Sequence, residues 1–110
     1  MEKEFIICSA VWYDNFPLEN EEVLRIRGFS PYNIDRGIVF CGWRHANCIY
    51  QAVAITGKSS HLLGEVEQGF LTSLNRFVGR EEGLEIAKKE NQIIDITDIR
   101  GDRLFSENLY

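Results

Sequence analysis

Gly69-Phe70-Leu71-Thr72-Ser73-Leu74-Asn75-Arg76-Phe77-Val78-Gly79-Arg80-Glu81-Glu82 is the stretch on which the fold turns. Glu65 to Leu71 and Asn75 to Val78 read as two short strands around a turn at Thr72-Ser73-Leu74. The apolar and aromatic residues stop there at a cluster of small polar ones. From Arg80 to Asn91 the period becomes helical: Leu84, Ala87 and Asn91, beside Ile86, mark a narrow inner stripe. Glu81, Glu82 and Glu85 suit the positive end of that helix, Lys88 and Lys89 its negative end. Gly83 lowers its propensity by about 1 kcal/mol relative to Ala. The same stretch sets two phenylalanines and two arginines around one turn. Aromatic faces and guanidinium forks in that arrangement suit a planar, phosphorylated ligand.

Outward from this corner, Phe5 to Tyr13 is rich in β-branched and aromatic residues and reads as a strand ended by Asp14-Asn15-Phe16-Pro17. Residues 14–36 form an elaborated polar connection, with a turn at Pro31-Tyr32-Asn33 and a short strand expected at Val23-Leu24-Arg25-Ile26. Gly37 to Trp43 reads as a second strand. Arg44 to about Thr56 reads as a helix, because Cys48, Ala52 and Ile55 recur at helical spacing. Gly57 is its C-terminal stop, and Lys58 to Gly64 is a loop. Ile93 to Ile99 is expected as a last strand, and the aromatic tail Leu104 to Tyr110 is expected to dock. The class is α+β: a small, mostly antiparallel sheet with two main helices packed on it, in a single domain.

The chain has 110 residues, which fits one domain, and 45% are hydrophobic, enough for a core. No apolar run approaches a membrane span. The start, Met1-Glu2-Lys3-Glu4, lacks the pattern of a signal peptide, so the cytoplasm is the expected location. A net charge of −5 opposes binding of a nucleic acid polymer, which needs a broad basic surface. It does not oppose a small anion held by two or three donors. Cys8, Cys41 and Cys48 match no zinc spacing. Cys8 and Cys41, in apolar runs, read as buried free thiols, and a reactive thiol at Cys48 near His45 has no support from the sequence. Asp95, Asp98 and Asp102 fit no calcium loop, His61 is isolated, and no phosphate-loop or dinucleotide glycine fingerprint occurs. No metal and no cofactor is expected.

Further residues carry a resemblance. Gly42-Trp43-Arg44-His45-Ala46-Asn47-Cys48-Ile49 ends a strand in a small residue and opens a helix with Arg-His. Gln68-Gly69-Phe70-Leu71-Thr72 and Arg76-Phe77-Val78-Gly79-Arg80-Glu81-Glu82 follow, then Ile86-Ala87, Asn91-Gln92-Ile93 and Leu104-Phe105-Ser106-Glu107-Asn108-Leu109-Tyr110. In this order, from Tyr32 onward, the chain resembles the phage-encoded family that includes the first-described Thoeris anti-defence proteins. The resemblance implies a sponge. Such proteins bind a cyclic ADP-ribose-type signal made by a TIR-domain protein, do not degrade it, and so keep it from its effector. It also implies a homo-oligomer, a dimer with pockets near the subunit boundary or a hexamer that also holds cyclic trinucleotides. Two departures stand out: the connection over 15–36 is longer than in compact members, and Gly79 stands where Asp or Asn is usual.

Each candidate residue has a bland reading beside the functional one. Spacing alone reads Arg44-His45 as a surface arginine beside a capping or packing histidine; the resemblance makes Arg44 a phosphate ligand at a helix N-terminus. Phe70 and Phe77 are both candidates to stack on a base, worth roughly 1–3 kcal/mol. In its strand-like run Phe70 reads more strongly as core, whereas Phe77, between Arg76 and Arg80, reads as the stacking ring. Arg76 and Arg80 either clamp a pyrophosphate or pair with neighbouring acids, and Arg103 is a third cation for the pocket. Thr72, with Ser73 and Asn75, either meets ribose hydroxyls or shapes the turn. Two other functions stand as alternatives: a nucleotide-processing enzyme with His45 or Glu82 as acid/base, and a phage protein-interaction module.

Overall fold

β1 spans Ile6–Tyr13 and is the spine of the molecule in this computed structural model, which describes residues 3–26 and 30–110. It pairs antiparallel with β2 (Ile38–Gly42) on one side and with β3 (Glu67–Thr72) on the other. β4 (Phe77–Gly79) pairs antiparallel with β3, which gives the order β2-β1-β3-β4. Two helices, α1 (His45–Thr56) and α2 (Arg80–Lys89), complete the α+β architecture.

The strand period assigns the faces. Ser9 lies opposite Phe70, and Val11 opposite Phe40, so these residues share one face. Val11, Tyr13 and Phe40 pack there against Cys48 and Ala52 of α1. Phe70 and Val78 pack on the same face against Leu84 and Ala87 of α2 and Leu104 of the tail. Both helices therefore cover one face. On the other, Ala10 and Phe77 pack with Ile34 from the connection. Phe70 and Phe77 point to opposite sides of the sheet, because an odd register separates their partners, Val78 and Leu71.

The elements end where the chemistry dictates. α1 stops at Gly57, whose left-handed φ of 70° lets its N–H reach the Val53 carbonyl. Asn47 Oδ1 accepts from the Arg44 N–H at 2.9 Å, which holds the entry to α1. α2 begins at Gly79 without any side-chain cap. A Cβ on Gly69 would stand 2.1 Å from the Val78 carbonyl oxygen, so only glycine lets β3 and β4 approach this closely.

Two expected strands are corrected. Val23 to Ile26 is not a strand: Glu21–Arg25 forms a 3-10 turn, held by an Arg25–Glu21 ion pair and by Glu21 accepting from the Gly37 N–H. Ile93 to Ile99 is not a strand either. Asp95 Oδ1 accepts from the Thr97 N–H and hydroxyl, bending Ile96–Asp98 into a 3-10 turn. Arg27, Gly28 and Phe29 of the connection, and Met1 and Glu2, lie outside the described residues. The rest of the connection folds back on the sheet. The Asn33 side chain exchanges two hydrogen bonds with the Phe77 backbone, at 2.6 and 2.9 Å, and so covers part of the β4 edge.

Candidate functional site

The tail organises the candidate site. Leu104 is fully buried beneath α2 and is tied to its start: the Leu104 N–H donates to the Arg80 carbonyl at 2.9 Å. The Arg80 guanidinium returns a bond to the Leu104 carbonyl at 2.8 Å and donates to Gln68 Oε1 at 2.6 Å. Its central carbon lies 4.5 Å from the centre of the Phe105 ring. Arg103 stands beside it. Arg80, Arg103, Gln68 and Phe105 line an open cleft of about 760 Å³, together with Glu67, Glu81 and Glu82. That volume falls in the range of small-molecule sites, roughly 300–1,000 Å³.

The other end of the tail meets α1. Arg44 donates to the Tyr110 carbonyl at 2.7 Å and to Ser106 Oγ at 3.3 Å, with Glu107 at 4.0 Å. Trp43, 63% exposed, stacks near-parallel on Tyr110 at 6.0 Å, and the Arg44 guanidinium lies 4.4 Å from the Trp43 ring centre. His45 is buried between the helices. Its Nε2 bonds the Gly69 carbonyl at 2.8 Å and its ring meets Phe70 edge-on. Burial pushes the imidazole below its usual pKa, against the hydrogen bond to Gly69. Burial likewise lowers the Arg80 pKa, though the nearby Glu107 opposes this.

Of the eight residues singled out in sequence, Arg44, His45, Arg80 and Arg103 gather around the tail and the start of α2. The other four are placed differently. Phe70 is a core ring. Phe77 is 4% exposed and packs with Ala10, Ile34 and Trp12, so it has no free face for a base. Thr72 is fully buried and donates to Glu4 Oε2 at 2.6 Å. Arg76 is neutralised by a two-pronged bond to Glu4 and by Glu82, all at 2.8 Å. Arg44 and Phe77 contribute to different clusters within the chain. The sequence reading passed over Phe105, Gln68, Trp43 and Tyr110. A usable signal existed for Phe105: in Arg103-Leu104-Phe105 an apolar anchor sits between a cation and a ring.

The fold and the cleft define a small α+β protein whose docked tail helps to build an open cleft lined by two arginines, three glutamates and the Phe105 ring. The chain belongs to the phage T4 y16D protein family, whose model matches residues 5–110. No curated protein and no solved structure matches it. Membership in a phage family agrees with the phage character that the resemblance implies.

Proposed function

We propose that the protein is a phage anti-defence sponge that captures a cyclic ADP-ribose-type nucleotide and holds it without cleaving it. It would act as a homo-oligomer in the host cytoplasm. The observation that carries this reading is the state of Arg80. Its guanidinium is half buried over Phe105, and both of its hydrogen-bond partners, the Leu104 carbonyl and Gln68, are uncharged. A cation held in place without a directly bonded carboxylate is poised for a phosphate. Arg103 adds a second charge, and Glu67 and Glu81 offer acceptors for ribose hydroxyls.

Turnover has less support. His45 is buried with Nε2 engaged, and Glu82 is engaged by Arg76. The test is to incubate the protein with glycocyclic ADP-ribose, denature it by heat, and chromatograph the supernatant. Depletion before heating and intact nucleotide after it agree with a sponge; a processed product indicates the enzyme.

One observation favours a second reading, a protein-interaction module. Trp43, Arg44 and Tyr110 cluster at the surface, and Trp, Tyr and Arg are the residue types that dominate protein interfaces. Under that reading a panel of nucleotide signals leaves the melting temperature unchanged.

A further inference from the structure

The side of the sheet without helices carries a feature that nucleotide binding does not use. Cys8 on β1 and Cys41 on β2 lie on the same face, because Cys41 is in register with Ala10, two residues from Cys8. Both are half buried, whereas Cys48 is fully buried under the opposite face. The two thiols are near enough to shift each other's titration, and the Gly42 backbone N–H also favours the Cys8 thiolate. On its other edge, against β3, the β1 register shifts between Ile6 and Cys8, so β1 is already irregular next to Cys8.

We propose that Cys8 and Cys41 form a thiol–disulfide exchange site that reacts with small disulfides such as oxidised glutathione and closes into a cross-strand bond. Cys8 is the attacking group. The influence of Cys41 and of the Gly42 N–H outweighs burial and brings the thiol down to about 7. A thiol titrating near ambient pH combines abundance of thiolate with nucleophilicity. The influence of Cys8 and burial push Cys41 up, so it stays protonated until Cys8 has reacted.

The steps balance. The Cys8 thiolate attacks one sulfur of the small disulfide; that S–S bond breaks and one thiolate leaves with the electron pair, taking up a proton. Cys41 gives its proton to solvent, attacks the Cys8 sulfur of the mixed disulfide, and expels the second small thiolate. Two protein thiols are oxidised and one small disulfide is reduced to two thiols. Diagonal strand neighbours start about 7–8 Å apart at Cα, and a disulfide needs about 4.4–6.8 Å. Closure therefore draws β1 and β2 together beside the irregular register.

The full-length reduced protein is treated with oxidised glutathione at neutral pH, quenched in acid, and digested with trypsin without reductant. Cleavage at Lys and Arg places Cys8 in residues 4–25, Cys41 in 37–44 and Cys48 in 45–58. The expected product, in the fraction that stays monomeric on a non-reducing gel, is 4–25 joined to 37–44. Cys8 is also expected to take up iodoacetamide at least ~10-fold faster than Cys48 at pH 7. Cys8→Ala, checked for an unchanged melting transition, abolishes the link and leaves Cys41 free. A lasting glutathione adduct on Cys8 without the link overturns the proposal. So does a link to Cys48, or a closure rate no higher than in denaturant. The wild-type peptide map decides the matter even where a variant fails to fold.

Discussion

At the residue scale, two titratable side chains shape the response to acid. Arg76 holds the Glu4 carboxyl below its usual 4.5, chiefly through the side-chain hydrogen bond. A depressed carboxylate contributes stability above its unfolded pKa and loses it as pH falls through the folded value. Arg76→Gln is therefore expected to cost about 1 kcal/mol at neutral pH, small because the guanidinium is a third exposed. Below that 4.5 reference its melting temperature should fall less than that of the wild type. His45 acts in the same direction in a higher window. Its neutral form is the folded one, so its contribution is complete at and above the usual 6.5 and is lost as pH falls through the depressed value. A His45 proton resonance that titrates below 6.5 in the folded protein is the expected result. His45→Ala leaves the Gly69 carbonyl without that partner and should cost about 2 kcal/mol in urea unfolding. The histidine was visible in sequence as a packing residue, but nothing in the spacing pointed to a sheet carbonyl as its partner.

At the element scale, periodicity and caps located most of the structure. The apolar runs at β1 and β2, the helical repeat of Cys48 and Ala52, and the stop at Gly57 all lie where the residues indicate. The misread segments share one cause. In Val23-Ile26 and Ile93-Ile99 the apolar residues suggested strands, while acidic side chains bonded to the backbone and bent it. Ile94 and Ile96 remain 67% and 60% exposed as a result. Phe77 was misjudged for another reason. Flanking arginines suggested exposure, but its side of the sheet is set by the pairing of Leu71 with Phe77, and pairing is not written in one strand alone. The close approach of β3 and β4 supplies a sharp test. Gly69→Ala forces its new methyl against the Val78 carbonyl and the Phe77 ring, and should destabilise by roughly 3 kcal/mol in denaturant unfolding.

At the scale of the whole molecule, the last residues hold both the core and the candidate site. Leu104 is fully buried against Phe70, Val78 and Leu84, while its neighbours Arg103 and Phe105 line the cleft. Leu104→Ala should cost about 3 kcal/mol and loosen the cleft with it. Sequence reasoning foresaw that the tail docks, and it named the cations that gather there. It could not foresee that the stacking ring would come from the tail, since only the packed chain brings Phe105 beneath Arg80. The account stands or falls on that pair. Isothermal titration of the protein with glycocyclic ADP-ribose, beside Arg80→Ala carrying an unchanged melting transition, measures it directly. Saturable binding by the wild type that weakens at least ~100-fold in the variant is the predicted result. Equal binding by both proteins, or none by either, contradicts it.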